Sequence, residues 1–169
     1  MKIAIIGYSG SGKSTLAQIL GKHYQIDVLH LDTVHHLAGW QVRERSQSQK
    51  IVRDFLDSHT DWVIDGTYSK LYYEERLESA DAIIVLRFNR FACLWRVIKR
   101  YFRYKNTSRP DMAEGCNEKI DFQFATWVLF KGRSAQARQR LKNLETNYKK
   151  KVTVIKNQRE LTKFISNLT

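Results

Sequence analysis

The 169-residue sequence has few of the features that mark membrane, secreted or metal-binding proteins. No apolar run approaches the ~18 residues that a membrane-spanning helix needs, so we predict no membrane partner. The chain enters an apolar stretch at once, without a basic leader, and we predict no secretory signal. Its two cysteines, Cys93 and Cys116, lack metal-ligand spacing and are most simply the free thiols of a cytoplasmic protein. With one proline, Pro110, and no linker or repeat, the sequence predicts a single domain over residues 1–169.

Carboxylates are scarce relative to basic residues, with 17 Asp and Glu against 29 Lys and Arg and a net charge of +12. The excess lies in two segments. Residues 87–109 contain eight Lys and Arg and no carboxylate, and residues 131–151 contain eight Lys and Arg and only Glu145. This distribution favours anionic partners: a nucleotide and, in a second interpretation, nucleic acid bound through the basic surface. The sequence does not specify the oligomeric state.

The first recognisable motif is Gly7-Tyr8-Ser9-Gly10-Ser11-Gly12-Lys13-Ser14, which fits the phosphate-binding loop pattern G-x-x-x-x-G-K-[ST]. A short β-branched run precedes the loop and a helical pattern follows it, which is the context that the motif requires. Glycines let successive backbone N–H groups point into one concavity that holds phosphate oxygens. The helix that begins there adds the positive end of its dipole. We therefore predict that ATP is bound by Gly7, Ser9, Gly10, Ser11, Gly12, Lys13, Ser14 and Thr15.

Two of these residues and one later carboxylate have more specific predicted roles. Lys13 is expected to reach the β- and γ-phosphates, and the Ser14 hydroxyl is expected to ligate Mg²⁺. An apolar run ending in Asp65 matches the second nucleotide-binding element, whose carboxylate holds Mg²⁺, often through water. The sequence therefore predicts Mg²⁺ as a second cofactor, with Ser14 and Asp65 as its residues.

A further carboxylate, Asp32, follows the second predicted strand. Ligands of open α/β sheets bind outside the carboxyl ends of the strands, so Asp32 is expected to face the substrate. Transfer to a hydroxyl group is helped by a carboxylate that takes the proton, whereas transfer to a phosphate needs no such base. Asp32 thus favours a hydroxyl acceptor, with a loop-capping role as the alternative. His35 and His36 are assigned to loop packing, since adjacent histidines lack the spacing of metal ligands.

Hydrophobic periodicity predicts alternating strands and helices. Strands are predicted at 2–6, 26–31, 61–65, 82–86 and 151–155, a loop at 33–40, and helices after residue 14 and at 47–56, 91–104, 134–148 and 160–165. The predicted buried face of the 91–104 helix consists of Phe91, Leu94, Trp95, Ile98 and Phe102, and its opposite face carries Arg96, Arg100 and Arg103. An apolar helix through residues 122–130 is predicted to pack in the core. The alternation predicts a three-layer α/β domain with a mostly parallel five-stranded sheet.

Over essentially its whole length the chain resembles the bacterial DNA topology modulation proteins (FlaR-related). The resemblance rests on the phosphate loop, His30-Leu31-Asp32, Trp62-Val63-Ile64-Asp65-Gly66-Thr67-Tyr68 and Arg109-Pro110-Asp111-Met112-Ala113-Glu114-Gly115-Cys116. The last of these stretches is specific, while the loop is general to many families. This family is similar to adenylate kinase and other small P-loop kinases. The resemblance implies a sheet ordered 2-3-1-4-5 and a lid-like helical insertion around residues 104–133 that closes over the phosphoryl donor.

The resemblance to adenylate kinase also implies catalytic residues beyond Lys13 and Asp32. Adenylate kinases contact ATP through two arginines four residues apart, a spacing that Arg96 and Arg100 match. A lid arginine assists transfer in those enzymes, and here either Arg133 or Arg138 stands near that place. The adenylate kinase motif Asp-Gly-Phe-Pro-Arg is similar to residues 65–69 but its arginine is missing here, which argues against AMP as the acceptor. Lys70, one place later, could replace it.

Three functions follow from these observations. The first is an ATP/Mg²⁺-dependent phosphotransferase of the nucleoside/nucleotide-kinase type that acts on a small acceptor. The second, which the family name implies, is a nucleotide-switched, DNA-associated regulator that uses the basic C-terminal half. The third is a P-loop protein that only hydrolyses ATP slowly. The sequence identifies neither the acceptor nor the preferred nucleotide base.

Overall fold

Parallel strands form the main sheet of the computed structural model, which describes residues 1–105, 112, 115–116 and 121–168. The strands are β1 (Lys2–Gly7), β2 (Val28–His30), β3 (His36–Leu37), β4 (Gln41–Val42), β5 (Trp62–Asp65), β6 (Ala82–Leu86) and β7 (Val152–Ile155). The main sheet has the order β2-β5-β1-β6-β7, and its neighbouring strands are parallel. Strands β3 and β4 form a separate antiparallel hairpin. Without that hairpin the order along the chain is 2-3-1-4-5, as the resemblance implies.

Helices pack on both faces of this sheet. They are α1 (Lys13–Tyr24), α2 (Leu31–His35), α3 (Arg45–Ser58), α4 (Tyr73–Ser79), α5 (Arg90–Tyr104), α6 (Phe122–Leu129), α7 (Ala135–Asn147) and α8 (Gln158–Ser166). Alternate residues of β1 show why two cores exist. Ile3 and Ile5 pack in one core with α1, α5 and α8, whereas Ala4 and Ile6 pack in the other with α3, α4 and α7. The predicted three-layer α/β fold is confirmed.

The segment after β2 differs from its prediction. The sequence predicts a strand over 26–31 and a loop over 33–40, whereas β2 ends at His30 and continues into helix α2 and the β3–β4 hairpin. Leu31 and Val34 lie three residues apart on this helix and are both buried, which favours a helical turn. The Thr33 hydroxyl donates a hydrogen bond of 2.7 Å to the His30 carbonyl at the start of the turn. Asp32 therefore lies in the first turn of a helix. Helix α4 was not predicted either.

Helix α5 has nearly the predicted bounds, and Leu94 packs against the core as predicted, but the prediction of burial is wrong for the aromatic residues Phe91, Trp95 and Phe102 of this helix. Its buried residues are Cys93 and Val97, while Phe91 is 69%, Trp95 58% and Phe102 73% exposed. The reason lies in the phosphate loop, which packs against this helix. A Cβ atom added to Gly10 would lie 2.7 Å from the Cys93 carbonyl oxygen and 2.8 Å from a Val97 methyl group, so the loop approaches α5 this closely because residue 10 is glycine. The loop covers the face that carries Cys93 and Val97, and the three aromatic side chains lie outside this contact.

The prediction that helix α6 packs in the core is correct for Val128 and for the partly buried Phe124, but it is wrong for three other apolar residues. Phe122 is 84%, Trp127 48% and Phe130 59% exposed, and Val128 is the buried residue of the helix. The helix packs against α5, so it covers one face of that helix and leaves its own outer face to solvent.

The predicted lid-like insertion around residues 104–133 lies partly outside the described residues. Residues 106–111, 113–114 and 117–120, which include most of the family-specific stretch from 109 to 116, are not described. In the described part, the Gly39 N–H donates a hydrogen bond of 3.1 Å to the Gly115 carbonyl. The Cys116 thiol lies 3.1 Å from the Leu37 carbonyl, to which it donates. This end of the insertion thus contacts the β3–β4 hairpin, and a lid that closes stays a prediction.

Candidate active site

The phosphate loop joins β1 to α1 at the centre of the sheet's carboxyl edge. Two of its glycines adopt left-handed backbone conformations, Gly10 with φ +75° and Gly12 with φ +95°, which only glycine adopts without strain. Gly12 is the N-cap of α1, and no side chain caps this helix. Its first N–H groups therefore stay available to an anion. Of the other predicted loop residues, Gly7, Ser9 and Thr15 line the cavity described below, whereas Ser11 is fully buried.

Lys13 and Ser14, the first residues of α1, already have partners. The Lys13 ammonium donates a hydrogen bond of 3.1 Å to the Tyr8 carbonyl, so the side chain is folded over its own loop. The Ser14 hydroxyl donates a hydrogen bond of 2.9 Å to Oδ2 of Asp65 at the end of β5. Asp65 is only 4% exposed. The structure thus brings together the two residues predicted to bind Mg²⁺.

The chemistry around Asp65 fits a magnesium ion. Its second carboxylate oxygen lies 2.5 Å from Nδ1 of His30, which holds the carboxylate in place. A hydroxyl and a carboxylate are hard oxygen ligands, and Mg²⁺ is usually held by one or two protein oxygens together with substrate phosphates. Among the described residues no three His, Cys, Asp or Glu side chains form a metal-binding group, so the pair does not resemble a closed transition-metal site.

Asp32 lies across the carboxyl edge from the phosphate loop, on the side of β2 and β5. Its Oδ1 accepts a hydrogen bond of 2.6 Å from the Tyr68 hydroxyl. Burial, and next the charge of Asp32, raise the pKa of Tyr68, so the phenol stays protonated and keeps donating. The Tyr68 ring also lies 4.8 Å from that of His35 between centroids. Asp32 and Tyr68 both line the cavity, with the carboxylate held in one orientation.

The loop over residues 66–71, which carries Tyr68, is held from behind by a fully buried arginine that the sequence analysis missed. Arg76 on α4 donates to the carbonyl oxygens of Leu71, Gly66 and Tyr68 at 2.8, 3.3 and 3.1 Å. Burial lowers its pKa to about 10, so the guanidinium stays charged at neutral pH. The same loop reaches the phosphate loop, because the Thr67 hydroxyl donates to the Gly7 carbonyl at 3.2 Å. No motif or spacing marks Arg76 in the sequence.

The three arginines of the predicted α5 stripe all line the cavity. Arg96 is the best fixed: it donates to the Ser11 carbonyl at 2.5 Å, and its guanidinium lies 3.9 Å from the centre of the Phe88 ring. Burial lowers the pKa of Arg96. Arg100 and Arg103 follow along the same side of the helix. Arg96 and Arg100 are half-buried and Arg103 is exposed, so the stripe runs from the phosphate loop outward along the cavity wall.

The structure places neither candidate lid arginine at the cavity wall. Arg133 is buried and donates to the carbonyl oxygens of Val128 and Phe88 and to the Cys93 sulfur, while its guanidinium stacks 3.9 Å from the Tyr8 ring. Arg138 lines a smaller neighbouring pocket. Arg140 lines the main cavity instead. The sequence shows three arginines within eight residues, and only the helical position of Arg140 on α7 distinguishes it.

These elements line one cavity of about 1710 Å³ that is open to solvent. Single ligands of drug size fill pockets of roughly 300–1,000 Å³, so this cavity has room for two substrates. The phosphate loop lies between its two halves: α5 and the residues after β7 form one side, and α2, the hairpin and the 66–71 loop form the other. Trp127 of α6 closes over the loop, donating a hydrogen bond of 3.2 Å to the Ser9 hydroxyl.

Comparisons with known proteins agree with this architecture. A family model described as an AAA domain matches residues 3–115. A crystal structure of TT1252 from Thermus thermophilus aligns with a TM-score of 0.54 and 14% identity, covering 100% of this chain and 98% of that chain. Shikimate kinase from Bacteroides thetaiotaomicron aligns with a TM-score of 0.55 and 15% identity, covering 99% of this chain and 96% of that chain. At these identities the likeness shows the fold alone.

No curated protein matches the chain in sequence. Among the described residues, no helix is both long and apolar enough to span a bilayer.

Proposed function

The chain belongs to the AAA domain family, and from this premise and the cavity we propose that it is an ATP/Mg²⁺-dependent phosphotransferase of the nucleoside/nucleotide-kinase type. One observation carries the proposal: the phosphate loop, Ser14 with Asp65 hydrogen-bonded behind it, and a separate oriented carboxylate, Asp32, lie at one cavity that is large enough for donor and acceptor. A simple nucleotide hydrolase has no need of the second half of this cavity.

In the proposed mechanism ATP binds in the half of the cavity that α5 and the residues after β7 form, here called the donor half. This half acts by positioning the phosphates and by neutralising their charge. The N–H groups at the start of α1 hold the phosphate oxygens of ATP, and Lys13 turns from the Tyr8 carbonyl to the β- and γ-phosphates. Arg96 and Arg100 stabilise charge on the donor. Ser14 and Asp65 would hold Mg²⁺, which supplies further neutralisation of the phosphate charge when bound. His30 keeps the Asp65 carboxylate turned toward Ser14.

The other half of the cavity, formed by α2, the hairpin and the 66–71 loop, is the acceptor half, and it supplies a base. Asp32 takes the proton of the acceptor hydroxyl while that oxygen forms a bond to the γ-phosphorus, the bond from the γ-phosphorus to the bridging oxygen breaks, and ADP leaves. Tyr68 donates to one carboxylate oxygen, which leaves the other free to accept the proton. If the acceptor group is instead a phosphate, it is already anionic and Asp32 only positions it.

The test is ATP turnover with Mg²⁺ against a panel of nucleosides, nucleoside monophosphates and small sugars, with a no-acceptor control. We expect one acceptor class to stimulate turnover and the transferred phosphate to appear on it. The stimulation should be absent in the Lys13→Ala variant. Turnover that no acceptor changes would contradict the proposal and leave slow hydrolysis or a nucleotide switch.

The alternative is the DNA-associated, topology-modulating regulator that the family resemblance implies. We favour it less because Arg96 and Arg100, two of the three arginines that it needs at an open surface, are half-buried at the cavity wall. Salt-dependent DNA binding that is lost on reversing these three charges, with or without ATP, would support it. The cytoplasmic location and the closing lid stay predictions.

The Mg²⁺ assignment has its own prediction. Asp65→Asn keeps the size of the side chain and a hydrogen-bond acceptor for Ser14 but removes the charge. We expect the Mg²⁺ concentration for half-maximal nucleotide binding to rise at least ~10-fold, because a neutral amide is a far weaker Mg²⁺ ligand. A fluorescent ATP analogue titrated with Mg²⁺ measures it. The exposed carboxylate Asp57, changed to Asn, is the control, and a Mg²⁺ titration unaltered by Asp65→Asn would remove Asp65 from the site.

A further inference from the structure

The cavity wall has a strong excess of positive charge. Ten lysine and arginine residues line it, against the two carboxylates Asp32 and Asp121. The ion pairs among the described residues lie elsewhere. Two examples are the pair of Arg53 with Glu75 and the pair of Arg87 with Glu145. A set of like charges around one cavity is unfavourable unless an anionic ligand enters it, because the charges repel one another.

The donor accounts for only part of this charge. ATP bound with Mg²⁺ carries a net charge of roughly −2, since the metal neutralises part of the phosphate charge. Lys13 in the loop and Arg96 and Arg100 beside it suffice to balance it. These three residues lie at the loop and on the α5 side of the cavity.

The remaining positively charged residues of the cavity include three in the acceptor half. Arg45 begins α3, Lys70 ends the exposed part of the loop that carries Tyr68, and Arg140 lies on α7. Arg140 interacts electrostatically with Tyr73, the first residue of α4, so this part of α7 lies near the helix that follows the 66–71 loop. None of the three cations forms an ion pair with a described carboxylate, and all three are exposed to the cavity mouth. They come from three different elements around the edge where Asp32 lies.

We infer that the acceptor is itself an anion: a small hydroxyl compound that already carries a phosphate or a carboxylate group. In this arrangement Arg45, Lys70 and Arg140 hold the anionic group, while Asp32 faces the hydroxyl. The two kinds of charge have separate tasks, since a carboxylate alone would repel such a substrate and the cations alone would supply no base. The inference rests on the proposed phosphotransferase activity and names the substrate class of the same site.

The experiment compares acceptors in matched sets that differ in one anionic group: a nucleoside and its monophosphate, and a sugar, its phosphate and its sugar acid. We expect kcat/KM to be at least ~10²-fold higher for the anionic member, because a site built for a charged group rejects the analogue that lacks it. Transfer is followed on the acceptor hydroxyl by the new phosphoester. The phosphate and carboxylate members show which of the two anions the site takes.

Variants then identify the residues. Lys70→Ala and Arg140→Ala should each lower kcat/KM for the anionic acceptor by ~10-fold or more, with the dissociation constant for ATP unchanged. Both side chains are exposed, so neither change should affect folding. Lys22→Ala, which removes an exposed cation from α1 outside the cavity, is the matched control.

The outcomes separate this inference from the proposed function. If neutral acceptors are phosphorylated as well as their anionic partners, in a reaction lost in Lys13→Ala, the phosphotransferase stands and the anionic acceptor is wrong. The same conclusion follows if Lys70→Ala and Arg140→Ala both behave like Lys22→Ala. If no acceptor of either kind stimulates turnover, the proposed function itself fails.

Discussion

Replacing Lys13 with alanine is expected to lower kcat for phosphoryl transfer by about 10³-fold, the loss typical of removing one preorganised charge from a developing anion. Lys13 is the first residue of α1, and its ammonium already lies over the loop, 3.1 Å from the Tyr8 carbonyl. Because the loop fixes the start of the side chain, little reorganisation is needed when the phosphates enter. A coupled assay of ADP release with the best acceptor measures kcat, and calorimetry measures the dissociation constant for ATP.

The matched control for this change is again Lys22→Ala, which removes the same charge from the last turn of the same helix. It should leave kcat within twofold of wild type, because its side chain is exposed and outside the cavity. A Lys13→Ala enzyme that keeps more than a third of wild-type kcat would show that the motif at residues 7–14 does not carry the chemistry.

Much of the fold and the donor half of the site could be predicted because local sequence determines them. A continuous apolar strand followed by glycines and a lysine leaves the backbone little choice, so β1, the loop and the start of α1 are as expected. Asp65 was also found from local pattern, since it ends an apolar run, and the structure joins it to Ser14. These parts depend on neighbours a few residues away or on a motif with a known geometry.

The remaining features depend on contacts that periodicity does not encode. The apolar stripe of α5 predicts burial of Phe91, Trp95 and Phe102, but the helix meets the phosphate loop at Gly10 through the face that carries Cys93 and Val97. A tertiary contact with the loop, and not the size of the apolar stripe, therefore decides which residues are buried. Sequence gives the helix and its two faces but not which face the tertiary structure buries.

The two buried arginines illustrate a second limit. Arg76 and Arg133 each donate to backbone carbonyl oxygens of loops beside the site and pair with no carboxylate among the described residues. Their partners are backbone atoms, which have no sequence signature. Its place in the chain therefore favours a catalytic role for Arg133, and nothing in the sequence points to Arg76. Arg140, which does line the cavity, lies on α7, and no sequence motif distinguishes it from Arg133 or Arg138.

Replacing Asp32 with asparagine is the most direct test of the acceptor chemistry. For a hydroxyl acceptor we expect kcat to fall by about 10²–10⁴-fold, the range that general bases contribute, with the dissociation constant for ATP unchanged. Asparagine has the same shape and still accepts the hydrogen bond from Tyr68 through its amide oxygen, so the change removes basicity and charge alone. Single-turnover transfer from labelled ATP measures the chemical step.

Tyr68→Phe is the companion variant, because it keeps the carboxylate and removes only the hydroxyl that orients it. Its kcat should fall less, by about 10-fold, since Asp32 would still be basic but less fixed. The two effects should not be additive, because both changes act on the same proton transfer. If Asp32→Asn lowers kcat less than threefold while transfer continues, then the acceptor oxygen arrives already deprotonated, as a phosphate does, and Asp32 positions the substrate without serving as its base.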